Sequence, residues 1–170
     1  GIPLKTICSA CSGKIEIVSE LLEKNKIVSL QPYAPLPRPP QGMFRLTFGR
    51  CALHTQGHTV NNPMLFEQMP ENVLWINDKA AAALKIADGE RVTVSRNGYS
   101  ETIAAKVTSF LHPEAVFVVH GFGHRLPVES RAFGNGLADN RFMQGGLDVW
   151  DPAGGGIAMQ EHFVTVSKIR

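Results

Sequence analysis

The sequence has few cysteines, little net charge and no long apolar segment, and each scarcity excludes a class of protein. Its three cysteines are too few for a framework of disulfide bonds. A formal net charge of +2 lacks the basic excess expected of a nucleic-acid-binding protein. No apolar run approaches the roughly 20 residues that a membrane-spanning helix needs. We therefore expect no nucleic-acid partner and no direct insertion into a membrane.

The composition that remains is that of an ordinary globular domain. The chain has 170 residues, of which 44% are hydrophobic and 19% are charged, and this length is sufficient for one domain with a buried core. The first residue is Gly1 rather than a methionine, and the opening residues read as the middle of a chain. We therefore expect a piece of a longer protein.

A close cysteine pair, Cys8 and Cys11, invites a metal-binding or redox interpretation. A structural zinc ion needs four ligands, and neither a second close pair nor a histidine near Cys11 supplies the rest. A thioredoxin-like site would need a strand before the pair and a helix that begins at it. Two ordinary thiols near a chain end are the favoured interpretation.

The polar loop from Phe48 to Pro63 is the most informative segment. It directly follows an alternating strand pattern, is rich in hydrogen-bond donors and has no acidic residue to repel an anion. Gly49 and Gly57 allow the backbone to approach a ligand closely. The pattern indicates a binding site for a phosphorylated ligand.

Period-two alternation of apolar residues predicts a mainly β body that closes, or nearly closes, into a barrel. Asn97-Gly98 is a strong signal for a tight hairpin turn, and Asn77 is a suitable N-cap for a short helix over Asp78–Leu84. The predicted strands are Met43–Phe48, Val73–Ile76, Arg91–Ser95, Glu101–Val107, Ala115–Val119 and Phe163–Ile169.

A lead segment and a proline-rich strap, together residues 1–42, precede the predicted barrel domain at 43–170. Lys14–Val18 alternates like a short strand, and Ser19–Lys24 continues as two helical turns. Five prolines then fall within Pro32–Pro40. Proline lacks an amide donor and favours extended backbone, so the sequence predicts an irregular strap.

Polar residues concentrate in loops at the ends of the predicted strands. His120–His124 places two histidines around a glycine turn, directly after a strand. Arg125–Gly156 is dominated by glycine, proline and asparagine, which is typical of a long loop kept for function. We expect these loops and the loop after Phe48 to carry a ligand site together.

Several features occur together along the chain: Ser12–Ile17, the proline strap, Gly49-Arg50, His54-Thr55, Asn61–Pro63, Trp75–Asn77, Ala80, Asp88-Gly89 and Asn140. In combination they resemble the C-terminal domain of molybdopterin oxidoreductases, the DMSO reductase family. Within that family, His54 to Pro63 and His120 to His124 are most similar to the catalytic subunits of thiosulfate and polysulfide reductases. The resemblance implies a six-stranded double-psi β-barrel, aspartate-decarboxylase-like, with short helices and long loops.

The cofactor implied by this resemblance is bis(molybdopterin guanine dinucleotide) molybdenum, with tungsten as the alternative metal. In that family the protein ligand to the metal and any iron–sulfur cluster lie in other domains. The resemblance therefore implies a domain that caps the cofactor, with no metal ligand and no catalytic residue of its own. On its own the chain is expected to be inactive, as part of an enzyme that reduces thiosulfate or polysulfide.

The same resemblance assigns cofactor contacts to individual positions. Gly49 lets the backbone approach the ligand, and Arg50 suits a pyrophosphate. Asn140 and Gln160 carry amides that can pair with the donors and acceptors along the edge of a pterin. The cofactor-binding residues implied are Phe48, Gly49, Arg50, His54, Thr55, His58, Thr59, Asn140 and Gln160.

The resemblance also implies partners and a compartment. The partners are the remaining domains of the parent catalytic chain, an iron–sulfur electron-transfer subunit and a membrane anchor subunit. The expected location is the periplasmic side of a bacterial membrane, with the cytoplasm as the alternative.

Other interpretations stay open at this point. His54 and His58 are four residues apart, the spacing of a zinc pair on a helix, although their neighbours favour a loop. His120 and His124 face a ligand or merely shape a turn. The whole chain is alternatively a stand-alone barrel subunit or adaptor with a binding role. A self-processing decarboxylase-like enzyme would need a Gly-Ser dipeptide, which the sequence lacks.

Overall fold

A computed structural model describes residues 15–30, 32–33, 35–126, 130–145, 150–151, 155–157 and 159–169 of the chain. The structure contains two compact units. One consists of residues 38–145 and 159–170 and carries the barrel, and the other consists of residues 1–37 and 146–158. Cys8, Cys11 and Lys14 lie outside the described residues.

The structure has six strands: β1 (Phe44–Gly49), β2 (Leu74–Asn77), β3 (Arg91–Arg96), β4 (Tyr99–Thr108), β5 (Ala115–Val119) and β6 (His162–Lys168). They close into a barrel in the order β1-β5-β2-β4-β3-β6, with β6 paired again to β1. Two neighbouring pairs, β1 with β5 and β2 with β4, are parallel, and the other pairs are antiparallel. The predicted six-stranded double-psi barrel is thus confirmed.

Alternation along the strands fills the barrel with aliphatic side chains. In β3, Val92 and Val94 are fully buried, and their neighbours in the strand are at least partly exposed. Leu46, Val118 and Val164 join them from other strands in one continuous core. Because a side-chain period of two buries one face of each strand, the apolar pattern that predicts the strands also sets the inside of the barrel.

The short helices and the hairpin turn follow local sequence signals. The helix α3 (Asp78–Leu84) begins after Asn77, whose side chain accepts hydrogen bonds from the amides of Lys79 and Ala80 at 2.9 and 3.4 Å. Asn97 and Gly98 join β3 to β4 with φ angles of 49° and 81°, as a primed hairpin turn requires. Both predictions are confirmed.

The helix α2 (Pro63–Gln68) has no counterpart among the predicted elements. Asn62 caps this helix by accepting hydrogen bonds from the amides of Met64 and Leu65, and Pro63 occupies its first turn. An N-cap followed by proline is a standard start signal. This signal, Asn62-Pro63, lies at the end of the polar loop Phe48–Pro63, for which the sequence analysis predicts only a ligand-binding role.

In the smaller unit, the helix α1 (Glu20–Lys24) begins after Ser19, whose hydroxyl accepts a hydrogen bond from the amide of Leu22 at 3.4 Å. The predicted helical turns are thus confirmed. The strand predicted over Lys14–Val18 is wrong for the described part, since 15–18 form no strand and Ile15 and Ile17 are largely exposed. Alternation alone does not make a strand without a neighbouring strand to pair with.

The described residues of the strap form neither helix nor strand, as predicted. Among the described residues, no helix has both the length and the apolar character needed to cross a membrane.

Candidate ligand-binding site

The strands β1 and β5 end side by side, and this end of the barrel carries the candidate site. Gly49 is in register with Val119, and the amide of His120 donates to the Gly49 carbonyl at 2.9 Å. The loops that follow the two strands meet a third loop, which carries Ala138, Asp139 and Asn140. Together the three loops surround an open depression of about 440 Å³. Its lining residues are Gln56, Gly57, His58, His120, Gly121, Phe122, His124, Ala138, Asp139 and Asn140.

Two glycines let the three loops approach one another. Gly121 has a φ of +102°, and a Cβ on it would lie 2.5 Å from the Gly57 nitrogen. Gly123 has a φ of +75°, and a Cβ on it would lie 2.2 Å from the Ala138 nitrogen. The depression therefore depends on backbone contacts that only glycine permits at these two positions.

A buried asparagine joins the β5 end to the third loop. Asn72 is fully buried, and its side-chain amide donates to the carbonyls of Val119 and Leu137 at 2.7 and 2.9 Å. Its carbonyl oxygen accepts from the Leu137 amide at 2.8 Å. Sequence reasoning missed Asn72, because nothing local relates it to residues 65 positions further along the chain.

His54 is buried and engages both ring nitrogens inside the protein. Its Nε2 lies 2.9 Å from the Met69 carbonyl, so this nitrogen carries the proton and donates. Its Nδ1 then accepts from the Thr59 hydroxyl at 3.3 Å, and that hydroxyl also accepts from the Thr55 amide at 2.8 Å. The structure thus gives His54 and Thr59 a role in shaping the loop rather than a side-chain surface in the depression.

Arg50 is exposed but does not line the depression. It lies beside a second, mainly apolar depression of about 330 Å³, whose other members include Trp75, Phe110 and Phe117. Gly49 packs against this region as well, since a Cβ on it would lie 3.1 Å from the Phe117 ring. The structure therefore separates the predicted arginine contact from the group around His58 and Asn140.

Gln160 is paired with the backbone of Phe48. Its amide nitrogen donates to the Phe48 carbonyl at 3.1 Å, and its amide oxygen accepts from the Phe48 amide at 3.3 Å. The Phe48 ring lies 5.5 Å from the His120 ring, which does line the depression. Phe48 and Gln160 are thus placed next to the site, with their polar groups engaged with each other.

The 3₁₀ helix Asp139–Phe142 presents Asn140 between anchored neighbours. Asp139 bonds to His120, Arg96 donates to the Phe142 carbonyl, and the Phe142 ring packs 4.9 Å from Tyr99. The Asn140 side chain is exposed and has no hydrogen-bond partner in the part of the chain that the structure describes. Its neighbours hold the backbone in place, and its amide is left available for a ligand.

A polar network supports this helix from outside the depression. Tyr99 donates to Glu101 and accepts from Arg141 at 3.4 Å. Burial, together with the hydrogen bond to Glu101, raises the pKa of Tyr99, so the phenol keeps its proton at neutral pH. Glu101 also pairs with Arg125 at 2.7 Å.

The three histidines around the depression differ in how they are held. His120 Nδ1 lies 2.7 Å from Asp139 Oδ2, and His124 Nε2 donates to the Gly121 carbonyl at 3.1 Å. His58 is exposed, and its side chain has no hydrogen-bond partner within the described residues. The described residues contain no group of three or more histidine, cysteine, aspartate or glutamate side chains suited to a metal ion.

The structure therefore brings together one part of the sequence-predicted site. His58 and Asn140 line the depression, Phe48 and Gln160 adjoin it, and Arg50 lies elsewhere on the surface. Asp139 is a lining residue that sequence reasoning missed. No local pattern marks an aspartate whose partner, His120, stands 19 positions earlier in the chain.

Comparisons with known proteins identify the family to which the chain belongs. The family model "Molydopterin dinucleotide binding domain" matches residues 44–161. The thiosulfate reductase molybdopterin-containing subunit PhsA of Salmonella typhimurium is 30% identical over 132 residues, which are 74% of this chain and 17% of that protein. The chain thus spans about a sixth of the length of this curated relative.

A solved structure is similar in fold. The acetylene hydratase of Pelobacter acetylenicus superimposes with a TM-score of 0.69 at 20% sequence identity, covering 93% of this chain and 24% of that one. The family match covers well over half of the chain and includes the loop after β1, the loop after β5 and Asn140. The resemblance drawn from the sequence is confirmed, and the chain belongs to the molybdopterin dinucleotide-binding domain family.

Proposed function

We propose that the chain caps a bis(molybdopterin guanine dinucleotide) molybdenum cofactor, within an oxidoreductase that reduces thiosulfate or polysulfide. One observation carries the proposal: three loops of a dinucleotide-binding domain meet around a polar depression in which the His58 and Asn140 side chains have no partner among the described residues. Polar groups held ready at a rigid strand end are suited to binding rather than to stabilising the fold.

The lining residues fit such a ligand. Asp139 is the one acidic residue among the described residues of the lining, and its carboxylate is paired with His120. A polyanionic ligand therefore meets no exposed negative charge in the depression. The Asn140 amide offers a donor and an acceptor, which suits the alternating polar edge of a pterin. When bound, the cofactor would supply the metal centre and the electron transfer, and the chain would supply contacts that hold and orient it.

Each predicted contact has a role in this proposal. His58 and Asn140 bind the ligand in the depression, and Arg50, which lies beside the second depression, binds a phosphate of the same ligand. Gly49 permits close approach of the backbone at the end of β1. Phe48 and Gln160 support the site from beside the depression, and Thr55, Thr59 and His54 hold the conformation of the loop, with Thr55 at its exposed surface.

The proposals for the substrate, the guanine form of the cofactor and the partners are based on similarity to a known relative. The Salmonella relative is named as a thiosulfate reductase subunit that contains molybdopterin. We extend this to a parent enzyme for thiosulfate or polysulfide, with molybdenum as the metal and tungsten as the alternative. The other domains of that enzyme, an iron–sulfur subunit and a membrane anchor would be its partners on the periplasmic side. The isolated chain would have no catalytic activity.

A binding experiment with paired variants tests the proposal. Molybdopterin guanine dinucleotide, released from a purified enzyme under anaerobic conditions, is titrated into the chain and binding is followed by fluorescence. We expect Asn140→Ala and His58→Ala to weaken binding by roughly tenfold each, the cost of about one hydrogen bond to a charged or polar ligand.

Matched controls remove the same residue types elsewhere. Asn25→Ala and His112→Ala change an exposed asparagine and an exposed histidine outside the depression and should leave the affinity unchanged. Equal losses in all four variants, or no binding to the unaltered chain, would contradict the proposal. The latter result would favour a stand-alone barrel that acts as an adaptor.

A further inference from the structure

His120 has a different environment from every other described histidine. Its backbone is fixed where β1 and β5 meet, because its amide donates to the Gly49 carbonyl at 2.9 Å. Its side chain is about one fifth exposed and lines the depression. Among the described histidines, it is the one whose ring is paired with a carboxylate.

The partner carboxylate is almost completely buried. Asp139 is 1% exposed, and its Oδ2 lies 2.7 Å from His120 Nδ1. No other hydrogen bond to the Asp139 side chain occurs among the described residues. A buried carboxylate is an acceptor that strongly favours an N–H at the facing nitrogen. In the neutral ring the proton therefore resides on Nδ1, and Nε2 carries the lone pair.

The remaining nitrogen, Nε2, has no partner within the described part of the chain. The other buried or half-buried histidines of this region lack that freedom. His54 uses both ring nitrogens within the protein, and His124 uses Nε2 to hold the Gly121 carbonyl. His120 lines the depression, and the carboxylate fixes one of its ring nitrogens and leaves the other without a partner among the described residues. Acid–base histidines need this arrangement.

We propose that His120 is an acid–base residue of the candidate site, and that Asp139 is the positioning residue that sets its tautomer. The ligand chemistry is an anionic atom at Nε2. In its protonated form His120 donates the Nε2 proton to this atom, the electron pair of the N–H bond stays on the nitrogen, and the ring becomes neutral. Asp139 stabilises the charged ring before the transfer and holds the neutral ring in place after it.

Two ligands could supply the anionic atom, and both rest on the proposed function. One is a phosphate oxygen of the dinucleotide, which accepts a hydrogen bond from Nε2 but is too weak a base to take the proton, so His120 would then be a binding residue only. The other is a sulfur or oxygen anion of an inorganic sulfur substrate, for which His120 would be the source of a proton. Guanosine diphosphate and thiosulfate are the probes that separate these cases.

The tautomer is tested first, without any ligand. The chain is labelled with ¹⁵N in its histidine rings, and the His120 signals are assigned with a His120→Gln variant. In the neutral ring, Nδ1 is expected to carry the proton and Nε2 to have the chemical shift of a bare nitrogen. In Asp139→Ala the acceptor is gone, and a large fraction of the proton should move to Nε2.

Controls distinguish positioning from a loss of fold. Asp78→Asn removes an exposed carboxylate at the start of α3 and should leave the His120 spectrum unchanged, while the hairpin amides of Asn97 and Gly98 report folding in every variant. An Nε2–H tautomer in the unaltered chain, or the same tautomer with and without Asp139, would overturn the proposal. Should Asp139→Ala fail to fold, the tautomer of the unaltered chain still decides the matter.

The probes are then added at several pH values. A shift of the His120 Nε2 signal with thiosulfate supports the acid–base role. A shift with guanosine diphosphate alone overturns that role and makes His120 a binding residue for the dinucleotide. No shift with either probe overturns the acid–base role. Failure of the released cofactor to bind would instead refute the proposed function, and the tautomer result would be unaffected.

Discussion

His162 illustrates how one buried side chain makes the stability of this barrel depend on pH. It lies at the start of β6, is 7% exposed, and its Nε2 has no hydrogen-bond partner among the described residues. Burial, and secondarily the positive charge of Arg96, lowers the pKa of His162 in the folded state. The folded protein therefore resists a proton that the unfolded chain accepts readily.

The sign of the resulting pH dependence follows from linkage. Above the pKa of an unperturbed histidine, about 6.5, the ring is neutral in both states and the full stability is present. As the pH falls below that value, the unfolded chain gains the proton first, so stability is lost until the folded pKa is reached. We expect the urea concentration at the unfolding midpoint to decrease as the pH is lowered from 7.5 to 5.

A substitution isolates this contribution. His162→Leu removes the titrating group and places an apolar side chain of similar size in the core. The urea midpoint of this variant should therefore decrease less than that of the unaltered chain over the same pH range. His112→Leu, at an exposed position, should retain the pH dependence of the unaltered chain. Identical profiles for His162→Leu and the unaltered chain would show that His162 does not cause the acid sensitivity.

Gly123 offers a second test at the residue scale, because a matched glycine is available. Gly123 and Gly134 have φ angles of +75° and +77°, but only at Gly123 would a Cβ meet backbone, 2.2 Å from the Ala138 nitrogen. Gly134→Ala should cost about 1 kcal/mol of unfolding free energy for the positive φ alone. Gly123→Ala should cost about 2 kcal/mol more, since the loops must move apart.

The comparison is made by urea unfolding of both variants. An equal cost would mean that the third loop accommodates a methyl group freely, and the close contact between the loops would then be unimportant for the fold. A larger cost for Gly123→Ala, accompanied by weaker cofactor binding, would connect the contact to the site.

At the scale of elements, Asn72 connects two segments that lie far from it in the sequence. Its three hydrogen bonds connect the end of β5 to Leu137, shortly before the 3₁₀ helix that carries Asn140. Asn72→Ala would leave two buried carbonyls and one buried amide without partners. We expect a loss of about 3 kcal/mol in unfolding free energy, measured by chemical denaturation. Asn25→Ala, at an exposed helix end, should cost less than about 0.5 kcal/mol.

Local elements were predictable because their signals lie within a few residues. The hairpin required only Asn97-Gly98 between alternating runs, and α3 required only Asn77 before a run of alanines. The predicted strand at the start of the chain failed for the opposite reason. Its alternation was local, but a strand also needs a neighbouring strand, and residues 15–18 have none in the described structure.

At the scale of the whole molecule, the barrel topology explains which parts of the site were predictable. Parallel pairing of β1 with β5 brings two loops to one end, so polar residues after each strand could be expected to meet. The sequence could not indicate which way each side chain turns. His54 faces inward to Met69 and His58 faces the depression, although both belong to the same loop.

The contacts that complete the site are long-range. His120 with Asp139, Asn72 with Leu137 and Gln160 with Phe48 join residues 19, 65 and 112 positions apart. These pairs form because the barrel closes and because the third loop passes over the end of β5. Residue types alone therefore predicted a ligand-binding region, and the folded chain was needed to locate its walls.

The central claim, that the depression between these loops binds a molybdopterin dinucleotide, is tested most directly by mapping the bound ligand on the chain. ¹⁵N-labelled protein is titrated with the released cofactor, and backbone amide signals are followed by NMR. The signals of Gly57, His58, Gly121 and Asn140 are predicted to shift together, with those of the Asn97-Gly98 hairpin unchanged. Saturable binding that shifts amides elsewhere and leaves these four in place would contradict the account.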